Sequence, residues 1–323
     1  MLLALVVACT RSTTRALTPA RVLQAPARRI STTRPAAVAA AALPLDTTTT
    51  TTGVYSEAAL YDAAFSYRDY EEEVDFLLEA HARHGPAGTR PLRVLELGAG
   101  PARHCMVAAR DHGVTAYVLD RSADMVSYAT ELSLRNEVAV KCELGDMTDA
   151  DAVRRAVGDL EVDAAWCLLG SAAHLLTARD FVAFLRAVGA VLVERGTLTV
   201  ELPHPKEVFR LVEATESGWD AALPEEMEDV DGVMGVTWGT DDDPFDPITQ
   251  IRTATVTLTL ADRVVSDTLQ IREFTCQELV AYALASGVFD CDVVFYGAMD
   301  ERFLPIDDEE EAFRLVAIFT KIV

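Results

Sequence analysis

Between about residue 70 and residue 202, short apolar runs alternate with amphipathic helical patterns, and this alternation constrains the fold more than any other feature of the chain. Strands that alternate with helices at this spacing form a parallel sheet with right-handed crossovers. The sequence therefore predicts an α/β protein with a doubly wound, mostly parallel sheet. The predicted strands of this part are residues 93–97, 115–119, 138–144, 163–169 and 197–202.

The pattern changes after Pro205. Residues 206–245 are acidic and irregular, and two runs that alternate with a period of two follow at 253–260 and 264–274. Such alternation around a short polar turn is typical of an antiparallel hairpin. We predict a small antiparallel β insertion after strand five and two further strands near the C-terminus, which makes the main sheet seven-stranded. The predicted folded parts are a core at 53–205, an inserted lid subdomain at 206–272 and the C-terminal part of the core at 273–323.

The first 52 residues differ in composition from the rest. Residues 1–45 carry six arginines and no acidic residue, which is typical of an organelle transit peptide. The threonine run at 47–52 indicates a low-complexity linker. Because residues 28–31 resemble a mitochondrial processing site, we favour the mitochondrion over the plastid. The alternative is a secretory or bipartite plastid signal with residues 2–9 as its apolar core. No run is long enough to span a bilayer, so no membrane partner is predicted.

Charge and cysteine content exclude several kinds of partner. All 51 acidic residues but only 22 of the 28 basic residues lie beyond residue 45. This excess of negative charge repels phosphate backbones and disfavours binding to nucleic acid. The six cysteines form no C-x-x-C pair and no zinc-site spacing, so we predict no metal. The oligomeric state does not follow from the sequence.

The first predicted strand ends in the glycine loop Gly98-Ala99-Gly100-Pro101. Glycines let the backbone approach a ligand closely, and a helix that begins at Pro101 points free N–H groups at an anion. A dinucleotide-binding loop has a third glycine near position 103, where this chain has Arg103. The loop therefore favours a ligand less bulky than a pyrophosphate, which counts against a nicotinamide-dependent oxidoreductase.

Two acidic residues follow the next two predicted strands. Asp120 lies 20 residues after Gly100, at a position from which a carboxylate accepts both hydroxyls of a ribose. Asp146 follows the third strand, where it can bind an adenine amino group while Met147 packs on the ring. Because the carboxyl ends of parallel strands meet at one edge of the sheet, these residues predict a nucleoside site.

The segments Glu96–Gly100, Asp120–Met125 and Gly145–Met147 resemble the motifs of class I S-adenosylmethionine-dependent methyltransferases. Residues 168–176 are similar to the stretch after strand four in the small-molecule branch of that family. The resemblance covers roughly residues 55–323 and implies a Rossmann-like methyltransferase fold with S-adenosyl-L-methionine as cofactor. The cofactor-binding residues that it implies are Tyr61, Arg68, Glu96, Gly98, Ala99, Gly100, Asp120, Arg121, Met125, Asp146, Met147, Leu168, Leu169 and Gly170.

The resemblance also implies what several of these residues contact. Asp120 would hold the ribose, and Asp146 would bind the adenine amino group. Glu96 would fix the glycine loop or bind the cofactor amino group. Gly98 and Gly100 would contact the methionine part of the cofactor, and Tyr61 and Arg68 would contact its carboxylate. Met125 and Met147 would flank the adenine, and Leu168–Gly170 would lie beside the methyl donor.

Two histidines after strand ends are the predicted catalytic residues. His174 and His204 are expected at the mouth of the cleft, where a near-neutral histidine takes a proton from an acceptor or binds it. For His174 the alternative is a packing role. Glu201 points inward or toward the ligand, depending on the strand register. Trp238 in the insertion either covers the substrate or belongs to a core.

The chain lacks the Asn/Asp-Pro-Pro-Tyr motif after strand four, which disfavours methylation of base or amide nitrogens. The expected function is therefore methyl transfer to a small-molecule acceptor, an amine. The first alternative is a methyltransferase-like organelle assembly or interaction protein without transfer activity. The remote alternative is an NAD-dependent oxidoreductase.

Overall fold

The computed structural model describes residues 48–50, 53–86, 88–208, 217–223, 232–240 and 242–322. Most of the predicted transit peptide and linker, and the acidic residues 225–231 of the insertion, lie outside this part of the chain. No helix within it is long and apolar enough to cross a membrane.

Strands and helices alternate through the first half of the described chain and strands dominate the second half. The strands are β1 (Thr48–Thr50), β2 (Arg93–Leu97), β3 (Thr115–Asp120), β4 (Val140–Leu144), β5 (Val162–Cys167), β6 (Leu192–Pro203), β7 (Ser217–Ala222), β8 (Val233–Trp238), β9 (Phe245–Asp246), β10 (Ile251–Thr259), β11 (Arg263–Arg272), β12 (Val294–Tyr296) and β13 (Arg314–Thr320). The α-helices are α1 (Ala58–Ala64), α2 (Tyr70–His84), α3 (Arg103–His112), α4 (Ala123–Arg135), α5 (Ala150–Val157), α6 (Ala178–Gly189), α7 (Pro205–Val208) and α8 (Cys276–Ser286). Short 3₁₀ turns occur at Val54–Ser56 and Ser171–His174.

The main sheet has seven strands in the order β12-β13-β6-β5-β2-β3-β4. The strands from β6 to β4 are parallel, and β13 runs antiparallel to both of its neighbours. Leu95 and Leu97 of β2 pack in one hydrophobic cluster with α5, α6 and α8, whereas Val94 packs in another with α2 and α3. Helices therefore cover both faces, and the predicted doubly wound, mostly parallel sheet is confirmed.

Capping side chains fix where the helices begin. Asp69, Ser122 and Thr177 each accept a hydrogen bond from a backbone N–H in the first turn of the helix that follows. Thr275 and Glu278 form the complete capping box predicted for α8, in which each side chain binds the other residue's backbone. These caps satisfy N–H groups that have no partner inside a helix.

The helix after the glycine loop begins later than predicted. It starts at Arg103 rather than Pro101, because Ala102 adopts a left-handed conformation with φ 59°. The Ala102 N–H donates to the Ala99 carbonyl, which closes a turn that holds Pro101 outside the helix. Arg103 is consequently the first residue of α3.

The second sheet has the order β1-β11-β10-β8-β7, with β9 paired to β10. Its pairs are antiparallel, as predicted for the insertion, except that β1 joins β11 in parallel. The composition of the β1 threonines predicts a linker, and here they form a strand instead. An edge strand needs only backbone hydrogen bonds to its neighbour, and threonine is favoured in strands, so a segment without a core of its own can still join a sheet.

One face of the second sheet packs against the start of the folded chain. Val54 and three residues of α1, Leu60, Ala63 and Ala64, share a hydrophobic cluster with residues of β7, β8, β10 and β11. The Trp219 indole N–H also donates to the Ala64 carbonyl at 2.8 Å. Residues 53–65 and the second sheet thus form one body, which we call the cap.

Candidate active site

A cavity of about 780 Å³ lies at the carboxyl ends of the parallel strands, lined by residues of both the main sheet and the cap. Ligands of open α/β sheets bind at this edge, where the strand order reverses. Here the reversal falls between β2 and β5. The predicted site residues that line the cavity are Tyr61, Arg68, Gly98, Gly100, Asp120, Arg121, Met125, Asp146, Met147, Leu169, Gly170 and His174. A smaller adjoining cavity is lined by three others, Glu96, Ala99 and Leu168.

The two glycines of the loop are subject to different steric constraints. Both are left-handed, with φ 62° at Gly98 and φ 52° at Gly100, a conformation that glycine adopts without strain. A Cβ on Gly98 would lie 2.8 Å from the Cβ of Ser171, whose hydroxyl donates to the Gly98 carbonyl at 2.8 Å. A Cβ on Gly100 would find ordinary contacts. Gly98 therefore lets the loop after β5 touch the glycine loop.

Asp120 joins the glycine loop to the start of α4. Its Oδ2 accepts the Gly100 N–H and its Oδ1 accepts the Ser122 N–H, both at 2.8 Å. Burial raises the pKa of Asp120, while the two amide hydrogen bonds act in the opposite direction. Each carboxylate oxygen has a further lone pair, so the side chain can still accept hydrogen bonds from a diol.

The far end of the cavity offers an apolar surface beside one exposed carboxylate. Asp146 Oδ1 accepts the N–H and the hydroxyl of Thr148, both at 2.7 Å. Its Oδ2 has no hydrogen-bond partner among the described residues. Met125 is buried and Met147 is half-buried, and Arg121 is exposed beside Asp120. This end can therefore hold a flat apolar group that carries a hydrogen-bond donor.

The loop after β5 is held by Glu201 of β6. Leu169 and Gly170 both have left-handed backbones, with φ 51° and φ 72°. Glu201 Oε2 accepts the Leu169 N–H at 2.9 Å, and the Glu201 carbonyl accepts the Gly170 N–H. Glu201 thus points toward the site, which the sequence left open, and fixes the loop there.

Arg68 belongs to a buried charge network formed by Arg68, Glu73, Glu96, His104, Glu201 and Arg314. Its Nε donates to Glu73 at 2.9 Å, and its two terminal nitrogens contact both oxygens of Glu201. Arg314 contacts the same two glutamates at 2.8 Å and 3.3 Å. Buried charges require such partners. The guanidinium expected to meet a cofactor carboxylate is therefore already paired with carboxylates of the protein.

Glu96 contacts the start of α3 rather than the large cavity. Its Oε2 accepts the Cys105 N–H at 3.2 Å, and its Oε1 lies 3.5 Å from His104 Nδ1. The other ring nitrogen of His104 is 2.8 Å from Glu73. Of the two roles that the resemblance implies for Glu96, these contacts correspond to fixing the loop.

His174 lines the cavity and pairs with Tyr55, a residue that no sequence motif singles out. Its Nε2 lies 2.9 Å from the Tyr55 hydroxyl. Burial lowers the pKa of His174, and the nearby positive charge of Arg121 lowers it further. Burial also raises the pKa of Tyr55. At neutral pH both groups are uncharged, so the Tyr55 hydroxyl can donate to an unprotonated Nε2.

The prediction that His204 faces the cleft is wrong. The residue is only 7% exposed and lies outside both cavities, although Pro203 lines the larger one. Its Nε2 donates to the Ile306 carbonyl at 2.8 Å, and its Nδ1 accepts the Lys206 N–H at 3.0 Å. With both nitrogens bound to backbone, His204 has no atom available to take a proton from a substrate.

A wall of aromatic side chains closes the cavity on the cap side. Phe65 lies at its centre, with ring centroids 5.9 Å from Trp219 and 5.6 Å from Trp238, and Tyr67 lies 5.8 Å from Trp219. We call these four residues the aromatic wall. Of them only Trp238 is a candidate from the sequence. The signal that could have found Phe65 and Tyr67 is the density of aromatic residues between 55 and 70, a segment in which the resemblance points only to Tyr61 and Arg68.

The residues present fit S-adenosylmethionine, the cofactor that the resemblance implies. Asp120 keeps acceptor capacity for two hydroxyls, and Asp146 Oδ2 is available to an amino group beside two methionines. Tyr61 lines both cavities, and burial raises the pKa of its hydroxyl, so it is a neutral donor. Arg68 is the exception to this fit, because its contacts are within the protein.

Comparisons with known proteins agree with this site. A family model for the methyltransferase domain matches residues 94–196, which contain the glycine loop, Asp120 and Asp146. A search of curated proteins by sequence gives no match.

Solved structures share the fold at low sequence identity. An S-adenosylmethionine-dependent methyltransferase from Clostridium acetobutylicum is 14% identical, with a TM-score of 0.63 over 84% of this chain and 99% of that one. CalS10, an amino pentose methyltransferase from Micromonospora echinaspora solved with bound S-adenosylmethionine, is 17% identical, with a TM-score of 0.58 over 84% and 98%. The sugar N-methyltransferase KedS8 from Streptoalloteichus is 16% identical, with a TM-score of 0.60 over 89% and 99%. Residues 94–196 thus match the methyltransferase domain family, and the strand order and the cavity agree with the fold that these solved methyltransferases share.

Proposed function

We propose that this enzyme transfers the methyl group of S-adenosylmethionine to the nitrogen of a small-molecule amine. The observation that carries the proposal is the Tyr55–His174 hydrogen bond on the wall of an aromatic cavity. An amine that is protonated in solution must lose a proton before its nitrogen lone pair can attack the methyl group, and an unprotonated histidine joined to a tyrosine is suited to receive that proton. CalS10 and KedS8, which share the fold, are described as an amino pentose methyltransferase and a sugar N-methyltransferase.

The cofactor-binding residues act by orientation. Asp120 holds the ribose hydroxyls, Asp146 accepts the adenine amino group, and Met125 and Met147 enclose the ring. The Tyr61 hydroxyl donates to the methionine part near the glycine loop. When bound, the cofactor supplies an electrophilic methyl group. The remaining residues implied by the resemblance, Glu96, Gly98, Ala99, Gly100, Arg121, Leu168, Leu169 and Gly170, shape the site around it, while Arg68 serves through the buried charge network.

Tyr55 and His174 move the proton. The acceptor nitrogen gives its proton to the Tyr55 oxygen while the Tyr55 hydroxyl passes its own to His174 Nε2. Because burial and Arg121 lower the pKa of His174, the imidazole is unprotonated and ready to receive a proton at pH 7. Most of the rate comes from holding donor and acceptor in line and excluding water, so a single proton relay is sufficient.

The charge of the acceptor end favours a neutral or cationic acceptor over a phosphorylated one. Arg68 and Arg314 line the cavity, but Glu73 and Glu201 neutralise both. The negative faces of the aromatic wall attract a cation, such as the methylated ammonium product, through cation–π contacts. Arg121 lies at the ribose end of the cavity, next to Asp120.

The proton relay predicts distinct kinetics for three variants. His174→Gln and Tyr55→Phe should each lower the single-turnover transfer rate about 10²-fold, while cofactor affinity measured by titration calorimetry stays unchanged. The matched control is His112→Gln, a surface histidine of α3 that lies outside the cavity. In the native enzyme the acidic limb of the rate profile should lie below the ordinary histidine pKa of about 6.5, because the pKa of His174 is lowered.

The acceptor used in this test comes from metabolite profiling. A strain that lacks the protein should accumulate a species one methyl group lighter, and that amine is then given to the purified enzyme. Unchanged rates in both variants would contradict the relay. Cofactor binding without transfer to any accumulated amine would instead support an interaction protein that has kept the fold.

We further propose that residues 1–52 direct the protein to an organelle, the mitochondrion in preference to the plastid. The support for this is the arginine-rich, acid-free composition of residues 1–45.

A further inference from the structure

Arg103 occupies the position at which a dinucleotide-binding loop has its third glycine, and the methyl-transfer chemistry gives it no role. It is the first residue of α3, and its side chain reaches away from the glycine loop to α1 of the cap. Arg103 Nε donates to Asp62 Oδ1 at 2.9 Å and a terminal nitrogen donates to Oδ2 at 2.5 Å. This two-bond fork is the strongest form of arginine–carboxylate contact.

The carboxylate of Asp62 is shared with a second element of the main domain. The Tyr128 hydroxyl of α4 donates to Asp62 Oδ2 at 2.8 Å. Asp62 is only 5% exposed, so solvent does not compete strongly for these bonds. We call Asp62, Arg103 and Tyr128 the latch. It ties α1 to α3, which follows the glycine loop, and to α4, which follows Asp120.

The rest of α1 packs on the cap. Leu60, Ala63 and Ala64 belong to the hydrophobic cluster of the second sheet. Among the described residues of α1, Asp62 is therefore the one whose side chain hydrogen-bonds to the main domain. The apolar residues of α1 pack on the cap, whereas its single carboxylate is bound by the main domain. When the bonds to that carboxylate break, α1 is therefore suited to move together with the cap.

The neighbour of Asp62 covers the cofactor end of the cavity. Tyr61 lines both cavities, and its Cε1 lies 3.6 Å from the position that a Cβ on Gly100 would take. A ligand bound along the glycine loop is thus held beneath Tyr61 for as long as α1 stays in place. The carboxylate of the latch lies one residue further along the helix.

The geometry points to Asp62 and Arg103 as positioning residues that hold α1 closed over the cofactor and so set how fast the cofactor enters and leaves. This role differs from a direct cofactor contact. A helix that controls access to the site changes the association rate and the dissociation rate of the cofactor in the same direction. Loss of a direct contact accelerates exit alone and weakens affinity by the same factor.

The test measures dissociation and affinity separately. A chase of tritiated S-adenosylmethionine with excess unlabelled cofactor gives the dissociation rate, and calorimetry gives the dissociation constant. We expect Asp62→Asn and Arg103→Gln each to speed dissociation about tenfold, the size expected when a charge-assisted fork is lost, while the dissociation constant changes less than about threefold. The double variant should be no faster than the faster single variant, because both remove the same link.

Two further variants keep the test decisive. Arg103→Lys retains the charge but not the fork, and its side chain is 37% exposed, so it tests the latch even if Asp62→Asn does not fold. Arg110→Gln removes an exposed ion pair of the same helix and should leave both measurements unchanged. Dissociation at the native rate in folded Arg103 variants would overturn the proposal. An increase of the dissociation constant by the same factor as the dissociation rate would also overturn it, because that result indicates a direct contact with the cofactor.

Discussion

At the scale of single residues, the surroundings of a side chain decide its role where residue type and spacing do not. His174 and His204 follow strand ends in the same way, and the sequence predicts the same chemistry for both. His174 faces the cavity with Nε2 on a tyrosine hydroxyl, whereas backbone groups bind both nitrogens of His204. The partner of Nε2 in each histidine lies more than 100 positions away, which no local pattern reports.

A prediction at this scale concerns Asp120. Replacing it with Asn puts an amide N–H₂ group where one of two backbone N–H groups now donates, and it removes the charge that strengthens both bonds to the ribose. We expect Asp120→Asn to weaken binding of S-adenosylmethionine by about 1.5–3 kcal/mol, the value of a hydrogen bond to a charged group. Titration calorimetry measures it.

The control for this measurement is Asp124→Asn, an exposed acidic residue in the first turn of α4. It should bind the cofactor with native affinity. If Asp120→Asn does the same, Asp120 does not hold the ribose. Tight binding of NAD in place of S-adenosylmethionine would contradict the assignment of the whole nucleoside end.

At the scale of secondary-structure elements, the buried charge network joins five of them behind the site. The charged groups come from Glu73 of α2, Glu96 of β2, His104 of α3, Glu201 of β6 and Arg314 of β13. Burial alone would lower the pKa of His104, but hydrogen bonds to Glu73 and Glu96 outweigh it and raise the pKa to about 9. His104 is therefore a buried cation at neutral pH, and it connects α3 to α2.

This network predicts how stability depends on pH. Because the pKa of His104 is higher in the folded state than in the unfolded state, its contribution is complete below about pH 6.5 and is lost as the pH rises through about 9. The free energy of unfolding in urea should therefore fall between about pH 7 and pH 9.5. We expect His104→Gln to be less stable than the native protein by roughly 2–3 kcal/mol at pH 7 and nearly equal to it at about pH 9.5.

His81→Gln is the matched control, since His81 is also buried and hydrogen-bonded but its pKa is lowered rather than raised. A constant stability difference between the native protein and His104→Gln across this pH range would show that His104 is not charged in the folded state.

The packing of the cap also changes what a deletion of the insertion would test. If the insertion were only a lid, excising residues 206–272 would remove just one wall of the acceptor site. In the structure it would also uncover Val54 and α1, which pack on β7, β8, β10 and β11. Tyr61 lies on that helix, so cofactor binding would fall together with transfer. Single substitutions such as Trp238→Ala separate the two functions more cleanly than the deletion.

At the scale of the whole molecule, the active site is built from parts of the chain that are far apart in sequence. The cavity is lined by residues from Tyr55 to Arg314, and the cap combines residues 53–65 with strands after position 216. The folded part also bears nearly all the negative charge, whereas residues 1–45 are free of acidic side chains. This division in composition is the basis of the targeting proposal.

The targeting proposal predicts that residues 1–52 fused to a fluorescent protein localise to mitochondria, because arginine-rich segments without acidic residues are typical of such presequences. Microscopy with a mitochondrial and a plastid marker measures the result. A fusion in which the six arginines are replaced by glutamine is the control and should stay diffuse. A diffuse signal from the native segment as well would contradict any targeting role.

Local sequence patterns are sufficient to predict the alternating strands and helices of the main sheet and the capping box of α8, but not β1, β7 or β8, which lie in stretches that the sequence predicts as linker or irregular. Period-two and period-3.6 patterns, Thr275 and Glu278 in a capping box, and acidic residues after successive strands are all local, and the carboxyl ends of parallel strands must meet at one edge. For that reason the sequence alone predicts that Gly98, Asp120 and Asp146 share one site, and all three line the same cavity.

What lies opposite that edge depends on tertiary packing. Tyr55 and His174, Asp62 and Arg103, and Phe65 and Trp219 meet because the cap folds back over the strand ends. Arg68 and Glu201 are 133 positions apart, and their pairing depends on the register of β6. Contacts of this kind depend on how two bodies pack, and packing depends on volume and burial rather than on periodicity, so local sequence patterns carry no record of them.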